Sequence, residues 1–420
     1  MTFLRPMFGL LPVDLQRSIR QTVQRRRAAR PQTVDVLTSK AFPNLRPLKI
    51  VPALAGPCVT MVTDSVAPGQ LMGGVGTAVL LAASIAHARN WRLRIVVREF
   101  RCDDVAVRTL LALQKVVFDG PIEIIFSDGS SSDPGVPLNT DDLVITTSWW
   151  GTWSTRRTVP ARQIVYLLQE DERMFYAGGD QHLLCDETLN DLEIRYVVNS
   201  TLLMTHFQAT ATLGPANHGI AFEPAFPDTI YYPEARGARR NLVFYARPDH
   251  PRNLFLRGIE ALDFAFAAGL FPATQWDVNF FGVNVPQVTF PGRPIQVHNT
   301  LPWHDYAALM RRADLGFSLM YTPHPSYPPL DLAASGAVVV TNRFGPKGET
   351  AQYCDNIIYS PLAVEALVEG LIKGIARAED TPSRHAAYER ADLNRDWATS
   401  FAPVLTALAD DAAIAVSHPA

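Results

Sequence analysis

Residues 58–98 read CVTMVTDSVAPGQLMGGVGTAVLLAASIAHARNWRLRIVVR. The apolar run Cys58 to Thr63 is typical of a buried parallel strand, and the Ala- and Leu-rich segment Thr77 to Arg89 predicts a helix. A second apolar run, Leu93 to Arg98, predicts the next strand. This order of strand, loop, helix and strand predicts a doubly wound parallel sheet of the α/β class.

The same alternation continues on both sides of a long irregular stretch, residues 222–240. This stretch is rich in proline and has no clear period, so we interpret it as an interdomain linker. The sequence thus predicts an N-terminal extension (1–54), two Rossmann-like domains (55–230 and 231–395), and a C-terminal helix and tail (396–420). Ligands of such sheets bind beyond the carboxyl ends of the strands, so we expect the site in the cleft between the two domains.

The composition narrows the classes of partner and compartment. A formal net charge of -3 over 420 residues gives no basic field for nucleic acid. The four cysteines lack zinc spacing and are expected to be reduced thiols. With no apolar run of about 20 residues and no signal peptide, we expect a cytoplasmic protein. Six arginines in residues 13–30 indicate either a solvated helix or peripheral contact with anionic lipid at the inner face of the cytoplasmic membrane.

Two clusters at strand-to-helix turns have the residue types that bind phosphate. Gly73 and Gly74 precede a helix whose free amides favour an anion, although a simple tight turn has the same pattern. Arg247 and Arg252 lie across a turn after the strand that ends at Tyr245. They fit a clamp on a diphosphate, and they also fit an ordinary exposed turn.

A third cluster, His324 to Asp331, reads HPSYPPLD. Its paired prolines suit the first turn of a helix, which leaves the amides of Ser326 and Tyr327 free to meet an anion. One turn later, Asp331 is placed to accept hydrogen bonds from a ribose. The alternative is that its carboxylate only complements the helix dipole.

The N-terminal domain offers two candidate acceptor-binding features. Trp149 and Trp150 follow a predicted strand, where their rings would stack on sugars unless they belong to the core. Glu170 and Asp171 follow the next strand, and their carboxylates would orient hydroxyl groups or act as base unless they form a solvated turn. We expect Asp171 to be the catalytic member of this run.

Three segments resemble the bacterial WsaF-type rhamnosyltransferases within the retaining glycosyltransferases of family 4. They are FYARP at 244–248 followed by Arg252 and Asn253, SLMYTPHPSYPPLD at 318–331, and VYLLQEDE at 165–172 followed by Phe175 and Tyr176. The resemblance covers most of residues 55–400. It implies a GT-B fold, with two facing Rossmann-like domains, and transfer of L-rhamnose from dTDP-β-L-rhamnose with retention onto a growing bacterial surface glycan. We expect the acceptor to be lipid-linked.

The resemblance also implies roles for individual residues. The family's basic pair on the donor diphosphate falls on Arg247 and Arg252, and its acidic residue on the ribose falls on Asp331, where Glu is usual. The broader family has two glutamates that flank seven residues, and Pro323 replaces the first. This loss leaves the donor sugar's polar contacts unassigned.

His324 and Ser326 are the nearest candidates for those contacts. We expect catalysis by positioning and charge stabilisation, with neither a metal ion nor a cofactor. Two alternatives stay open. One is a noncatalytic nucleotide- or glycan-binding module, and the other is a nucleotide-sugar epimerase.

Overall fold

The computed structural model describes residues 33–53, 55–71, 73–349 and 353–417, with the backbone alone for 410–417. Contacts divide the chain into residues 1–46 and a compact unit, 47–420. In the first unit, helix α1 (Val34–Ala41) begins after Thr33, whose side chain accepts a hydrogen bond from the Val36 amide. The arginine-rich segment 13–30, for which we considered lipid contact, lies outside the described residues.

The second unit contains two large parallel sheets and one small one. Strands β1 (Ile50–Pro52) and β5 (Val136–Leu138) form the small sheet. The first large sheet has the order β4-β3-β2-β6-β7-β8-β9. Its strands are β2 (Cys58–Thr63), β3 (Arg92–Val97), β4 (Ile122–Phe126), β6 (Leu143–Thr146), β7 (Ile164–Leu168), β8 (Arg195–Asn199) and β9 (Gly219–Phe222). The strand order reverses between β2 and β6, which is where doubly wound sheets bind ligands.

Helices cover both faces of this sheet because its strands are apolar on both sides. They are α2 (Gly74–Arg89), α3 (Val105–Leu113), α4 (Trp149–Arg156), α5 (Asp180–Leu189), α6 (Thr201–Ala209) and α7 (Leu213–His218). Helix α2 has buried side chains on all its faces. It begins three residues earlier than predicted, directly after Gly73, which adopts a φ of 59°.

The second large sheet repeats this plan with the order β12-β11-β10-β13-β14-β15. Its strands are β10 (Arg240–Ala246), β11 (Trp276–Gly282), β12 (Gln296–Asn299), β13 (Leu315–Phe317), β14 (Val338–Asn342) and β15 (Ile357–Ser360). Its helices are α8 (Phe255–Ala267), α9 (Trp303–Arg312), α10 (Tyr327–Ala334), α11 (Val364–Glu379) and α12 (Thr381–Glu389). Here the order reverses between β10 and β13, so the turns after these strands are placed to form a site. We refer to residues 240–389 as the second domain.

The chain crosses between the domains twice. Residues 223–239 contain neither helix nor strand. The return segment runs beside them, and the amide of Phe226 donates to the carbonyl of Asn394 over 2.7 Å. Helix α13 (Trp397–Ser417) then packs on the core around α2, with the rings of Phe401 and Phe222 5.2 Å apart. Residues 47–222 together with α13 form what we call the first domain.

None of the described helices has both the length and the apolar character needed to cross a bilayer.

Candidate active site

A cavity of about 320 Å³ lies between the two domains at the carboxyl ends of both sheets. It is lined by the glycine turn after β2, the carboxylate run after β7, the basic turn after β10 and the proline loop after β13. Nine of the residues singled out from the sequence reach it, namely Gly73, Gly74, Glu170, Arg247, Arg252, His324, Ser326, Tyr327 and Asp331. Asp171, Trp149 and Trp150 do not line it.

The basic turn presents two guanidinium groups to the cavity. Arg252 lies 4.0 Å from the centre of the Phe175 ring, and its Nη1 is 3.3 Å from Oε2 of Glu170. Arg247 Nη2 donates to His250 Nε2 over 2.7 Å. Burial and the two neighbouring arginines lower the pKa of His250, so its neutral ring can accept this hydrogen bond.

Parts of both guanidinium groups are buried without a hydrogen-bond acceptor. Among the described residues, Arg247 Nε and Arg252 Nη1 have no hydrogen-bond partner. A buried N–H group left unsatisfied costs about 1–3 kcal/mol, and more when it is charged. Oxygen atoms of an anion in the cavity would remove this cost, which makes the basic turn a ready anion site.

The proline loop adds a third N–H group through His324. The amide of Ser326, which we expected to be free for an anion, instead donates to His324 Nδ1 over 3.0 Å. The ring proton of His324 must therefore be on Nε2. Burial, then the charges of Lys347 and Arg252, lower the pKa of His324 to about 3, so the ring is neutral. Its Nε2 is buried and has no acceptor among the described residues. The loop thus offers a neutral donor beside two cationic ones.

Asp331 lies one turn into α10 on the wall of the same cavity. The hydroxyl of Tyr306 donates to Asp331 Oδ2 over 2.5 Å, and the hydroxyl of Tyr231 donates as well. Burial raises the pKa of Asp331 to about 7, although both hydroxyls counteract it. The carboxyl group is held in one orientation and is poised to change charge near neutral pH.

The glycine turn approaches the second domain closely. A Cβ atom on Gly76 would lie 2.5 Å from the carbonyl oxygen of Leu71, so only glycine fits there. The adjoining Thr77 hydroxyl forms a hydrogen bond with the hydroxyl of Tyr327, which begins α10. Asn199 Nδ2 donates to the same Tyr327 oxygen over 2.9 Å. One tyrosine hydroxyl therefore ties α10 to two elements of the first domain.

The structure corrects our expectation for Asp171. Its Oδ1 accepts from Arg173 Nε over 2.8 Å, and its Oδ2 accepts from Arg173 Nη2 and from His206 Nε2 over 2.8 and 2.9 Å. Burial by itself would raise the pKa of Asp171, but these hydrogen bonds lower it to about 2. The carboxylate is occupied within the first domain, and the residue of this run that faces the cavity is Glu170.

The structure also corrects the expectation of a tryptophan platform. Ser148 caps α4 by accepting a hydrogen bond from the Gly151 amide, and this helix start turns Trp149 into the core, where it is 0% exposed. The indole N–H of Trp149 donates to the hydroxyl of Tyr176 over 2.9 Å. The indole of Trp150 donates to both oxygens of Asp64, at 3.0 and 3.2 Å. Neither ring is placed to stack on a sugar in the cavity.

Several residues of the site were not found from the sequence. Gln169 lines the cavity, and Asn199 donates to the Tyr327 hydroxyl. Both stand at strand ends, so the rule that selected Arg247 would also have selected them. Tyr231 lies within the stretch interpreted as linker, and Tyr306 lies within a helix. No local signal marks these two as partners of Asp331, because their contact depends on the packing of distant segments.

Across the ranges that the structure describes, no three or more His, Cys, Asp or Glu side chains are grouped to hold an ion. Asp142, one of the paired aspartates in the sequence, has a structural role instead. Its Oδ1 accepts from the Cys58 amide over 2.8 Å, and its Oδ2 accepts from the Asn139 amide over 3.1 Å.

Comparisons with known proteins agree with this architecture. Residues 240–372 match the family model of the WsaF C-terminal domain. The O-antigen biosynthesis protein RfbC of Myxococcus xanthus is 31% identical over 210 residues, which are 48% of this chain and 15% of that protein. The chain thus spans only a small part of this relative.

Solved structures share the fold over most of the chain. Sucrose-phosphate synthase from Thermosynechococcus elongatus superposes with a TM-score of 0.57 at 12% identity, covering 86% of this chain and all of that one. WaaG, a glycosyltransferase of lipopolysaccharide biosynthesis, gives a TM-score of 0.54 at 16% identity over 79% of this chain and 93% of that one. The fold is GT-B. Anabaena HepE, solved with UDP and glucose, has a TM-score of 0.53 at 15% identity and covers 88% and 99% of the two chains.

Proposed function

We propose that this protein is a glycosyltransferase that takes a sugar from a nucleoside diphosphate-sugar and adds it to a bacterial surface glycan. The observation that carries the proposal is the convergence of three buried N–H groups without acceptors, on Arg247, Arg252 and His324, in one interdomain cavity. A diphosphate supplies several charged oxygen acceptors for such a cluster. Asp331, held by the hydroxyls of Tyr306 and Tyr231, adds an acceptor for a hydroxyl of the nucleotide's pentose.

The donor we propose is dTDP-β-L-rhamnose. Support for it comes from the match of residues 240–372 to the WsaF C-terminal domain and from the HPSYPPL run that lines the cavity. The glycan class is supported by the relative named as an O-antigen biosynthesis protein. The UDP and glucose bound to HepE show that this fold accommodates a nucleotide with a sugar.

We further propose transfer with retention and without a metal ion. The departing diphosphate gains negative charge as the glycosidic bond breaks, and groups that are already oriented toward it stabilise that charge. Arg247, Arg252 and the neutral His324 N–H would supply this stabilisation. Hydrogen bonds to a charged group contribute about 1.5–3 kcal/mol each. The acceptor hydroxyl would enter from the side of Glu170, on the first domain.

Calorimetric titration with dTDP, UDP and GDP in the presence of a chelator tests the donor site. We expect selective, micromolar binding of dTDP that is lost in Arg247→Ala. Arg257→Ala is the control, because Arg257 lies on the outer surface of α8 and pairs with Glu260. A preference for UDP or GDP would change the donor but keep the activity.

Incubation with dTDP-β-L-rhamnose and rhamnose-terminated acceptors then tests transfer, with product stereochemistry read by NMR. Release of dTDP that depends on acceptor supports the proposal. Binding without any transfer would instead identify a noncatalytic nucleotide-binding module, in line with the loss of the first glutamate at Pro323.

A further inference from the structure

Glu170 extends from the first domain into the group of cations that faces the cavity. It follows β7, and its Oε2 is 3.3 Å from Arg252 Nη1 in the second domain. The hydroxyl of Thr322 donates to the same oxygen. The contact with Arg252 is an ion pair without hydrogen-bond geometry, since Nη1 has no hydrogen-bond partner among the described residues. Glu170 thus holds Arg252 by charge but leaves its N–H group available.

Lys347 provides a second cation close to this carboxylate. Its side chain is 0% exposed, and Nζ donates to the Met320 carbonyl over 2.8 Å. Met320 stands two residues before Thr322, so Lys347 and Glu170 hold opposite ends of one short segment. Burial lowers the pKa of Lys347 to about 7, and the negative charge of Glu170 opposes that shift. The two charges therefore interact across the domain boundary.

We propose that Glu170 is an internal competitor of the donor diphosphate. Before a donor binds, its carboxylate neutralises Arg252, with Lys347 as the supporting cation, and the incoming diphosphate displaces it. This inference rests on the proposed function, because it requires an anionic donor at Arg252. Lys347 does not line the cavity, so it is a positioning residue that acts through Glu170 and the Met320 carbonyl.

The electrostatics of the site support competition between Glu170 and the diphosphate for Arg252. Glu170 lines the cavity beside the groups that would bind the diphosphate, and two anions that share one partly buried guanidinium repel each other. The exchange also explains how the partly buried charge of Arg252 is tolerated before a ligand binds. The carboxylate keeps Arg252 compensated and oriented over Phe175 until the ligand arrives.

The first test measures dTDP affinity by calorimetry in Glu170→Gln. The amide has the shape of the carboxylate and keeps an acceptor for Thr322, but it carries no charge. We expect dTDP to bind at least about threefold more tightly than to the unmodified protein, because about 0.7 kcal/mol of repulsion is enough for that change. Glu187→Gln, an exposed glutamate of α5, is the matched control and should leave the affinity unchanged.

The pH dependence of dTDP affinity distinguishes an effect of the Glu170 charge from a structural effect of the substitution. The charged and polar groups that face Glu170 are Arg252, Thr322 and Lys347 from the second domain and Asp171 and Glu172 from its own run. As the pH falls, Glu170 becomes protonated and stops competing. Burial raises the pKa of Glu170 above its usual value, so the affinity gap between Glu170→Gln and the unmodified protein should narrow as the pH falls and widen as it rises. A purely structural effect of the amide would give a constant gap.

Lys347→Met tests the supporting cation. Without that charge Glu170 is protonated more readily, so Glu170→Gln should improve dTDP affinity less in the Lys347→Met background than in the unmodified protein. Lys373→Met, on an exposed face of α11, is the control. If Lys347→Met does not fold, the pH comparison still decides the role of Glu170.

Four results would overturn all or part of the inference. Competition between Glu170 and the diphosphate is rejected if Glu170→Gln binds dTDP more weakly than the unmodified protein. It is also rejected if the difference in affinity between the two proteins is constant with pH. Either result leaves the proposed function intact. Equal gains in both backgrounds reject the role of Lys347. If the unmodified protein binds no nucleoside diphosphate at all, the proposed function fails, and this inference fails with it.

Discussion

Replacing Asp331 with asparagine changes the charge of the cavity wall without changing its shape. The carboxyl group is buried on α10 and accepts hydrogen bonds from the hydroxyls of Tyr306 and Tyr231. An asparagine amide can accept through its one oxygen, but it stays neutral at every pH. The substitution thus isolates what the ionised carboxylate contributes to nucleotide binding.

The size of the effect follows from the pKa of Asp331, which burial raises to about 7. A group with this pKa is about one-eleventh ionised at pH 6 and about ten-elevenths ionised at pH 8. If a nucleotide hydroxyl donates to the ionised form only, this contact strengthens about tenfold over the interval, or about 1.4 kcal/mol. Lys347 loses its charge over the same range and opposes the change, so affinity alone is ambiguous.

The ratio of the two proteins' affinities removes that ambiguity. Calorimetry with dTDP at pH 6, 7 and 8 should show the unmodified protein gaining about tenfold relative to Asp331→Asn. The titration of the ligand and that of Lys347 are common to both proteins and cancel. A ratio that changes by less than about twofold would show that Asp331 makes no charge-dependent contact with the nucleotide.

Two further predictions concern stability and the glycine turn. Burial raises the pKa of Glu172 to about 8. The folded protein therefore keeps a proton that the unfolded chain loses above about pH 4.5. The free energy of unfolding consequently falls as the pH rises from about 4.5 to about 8. Glu172→Gln should therefore raise the free energy of unfolding by about 3 kcal/mol at pH 7 and by much less at pH 5. Urea denaturation measures both values, and equal gains at the two pH values would refute the prediction. Gly76→Ala should cost at least about 1–3 kcal/mol and weaken dTDP binding, because its Cβ would meet the Leu71 carbonyl at 2.5 Å. Thermal denaturation measures that loss against Gly178→Ala, where nothing lies within 4 Å, and equal melting temperatures would contradict it.

The regular part of the fold was predictable because its signal is local. Strand β2 has the predicted bounds, Cys58–Thr63, since six consecutive buried residues leave a continuous apolar run. The short strand β15 was missed, because Ile357–Ser360 offers too few residues for a period. The position of α13 was not predictable either. Its apolar face is visible in the sequence, but the partner it covers lies more than 170 residues earlier, around Phe222.

The candidate site shows the same division between local and distant causes. Arg247 and His324 follow strands of one parallel sheet, and parallel strands end at one edge, so their approach to a common cavity could be predicted. The environment of Asp171 could not be predicted, because it depends on His206, 35 residues away. Trp149 was misinterpreted because a strand end and a helix start coincide at Ser148, and the helix directs the ring inward.

The return of α13 to the first domain determines how this protein can be recombined with its relatives. The second domain is an insertion, since the chain enters it at residues 223–239 and leaves it near Asn394, and these two segments are hydrogen-bonded side by side. A chimera that joins the N-terminal half of one protein to the C-terminal half of another would give the first domain a foreign helix in its core, against Phe222 and α2. An exchange of ligand preference between two proteins of this fold should therefore replace the internal segment 240–389 alone and keep α13 with its own sheet.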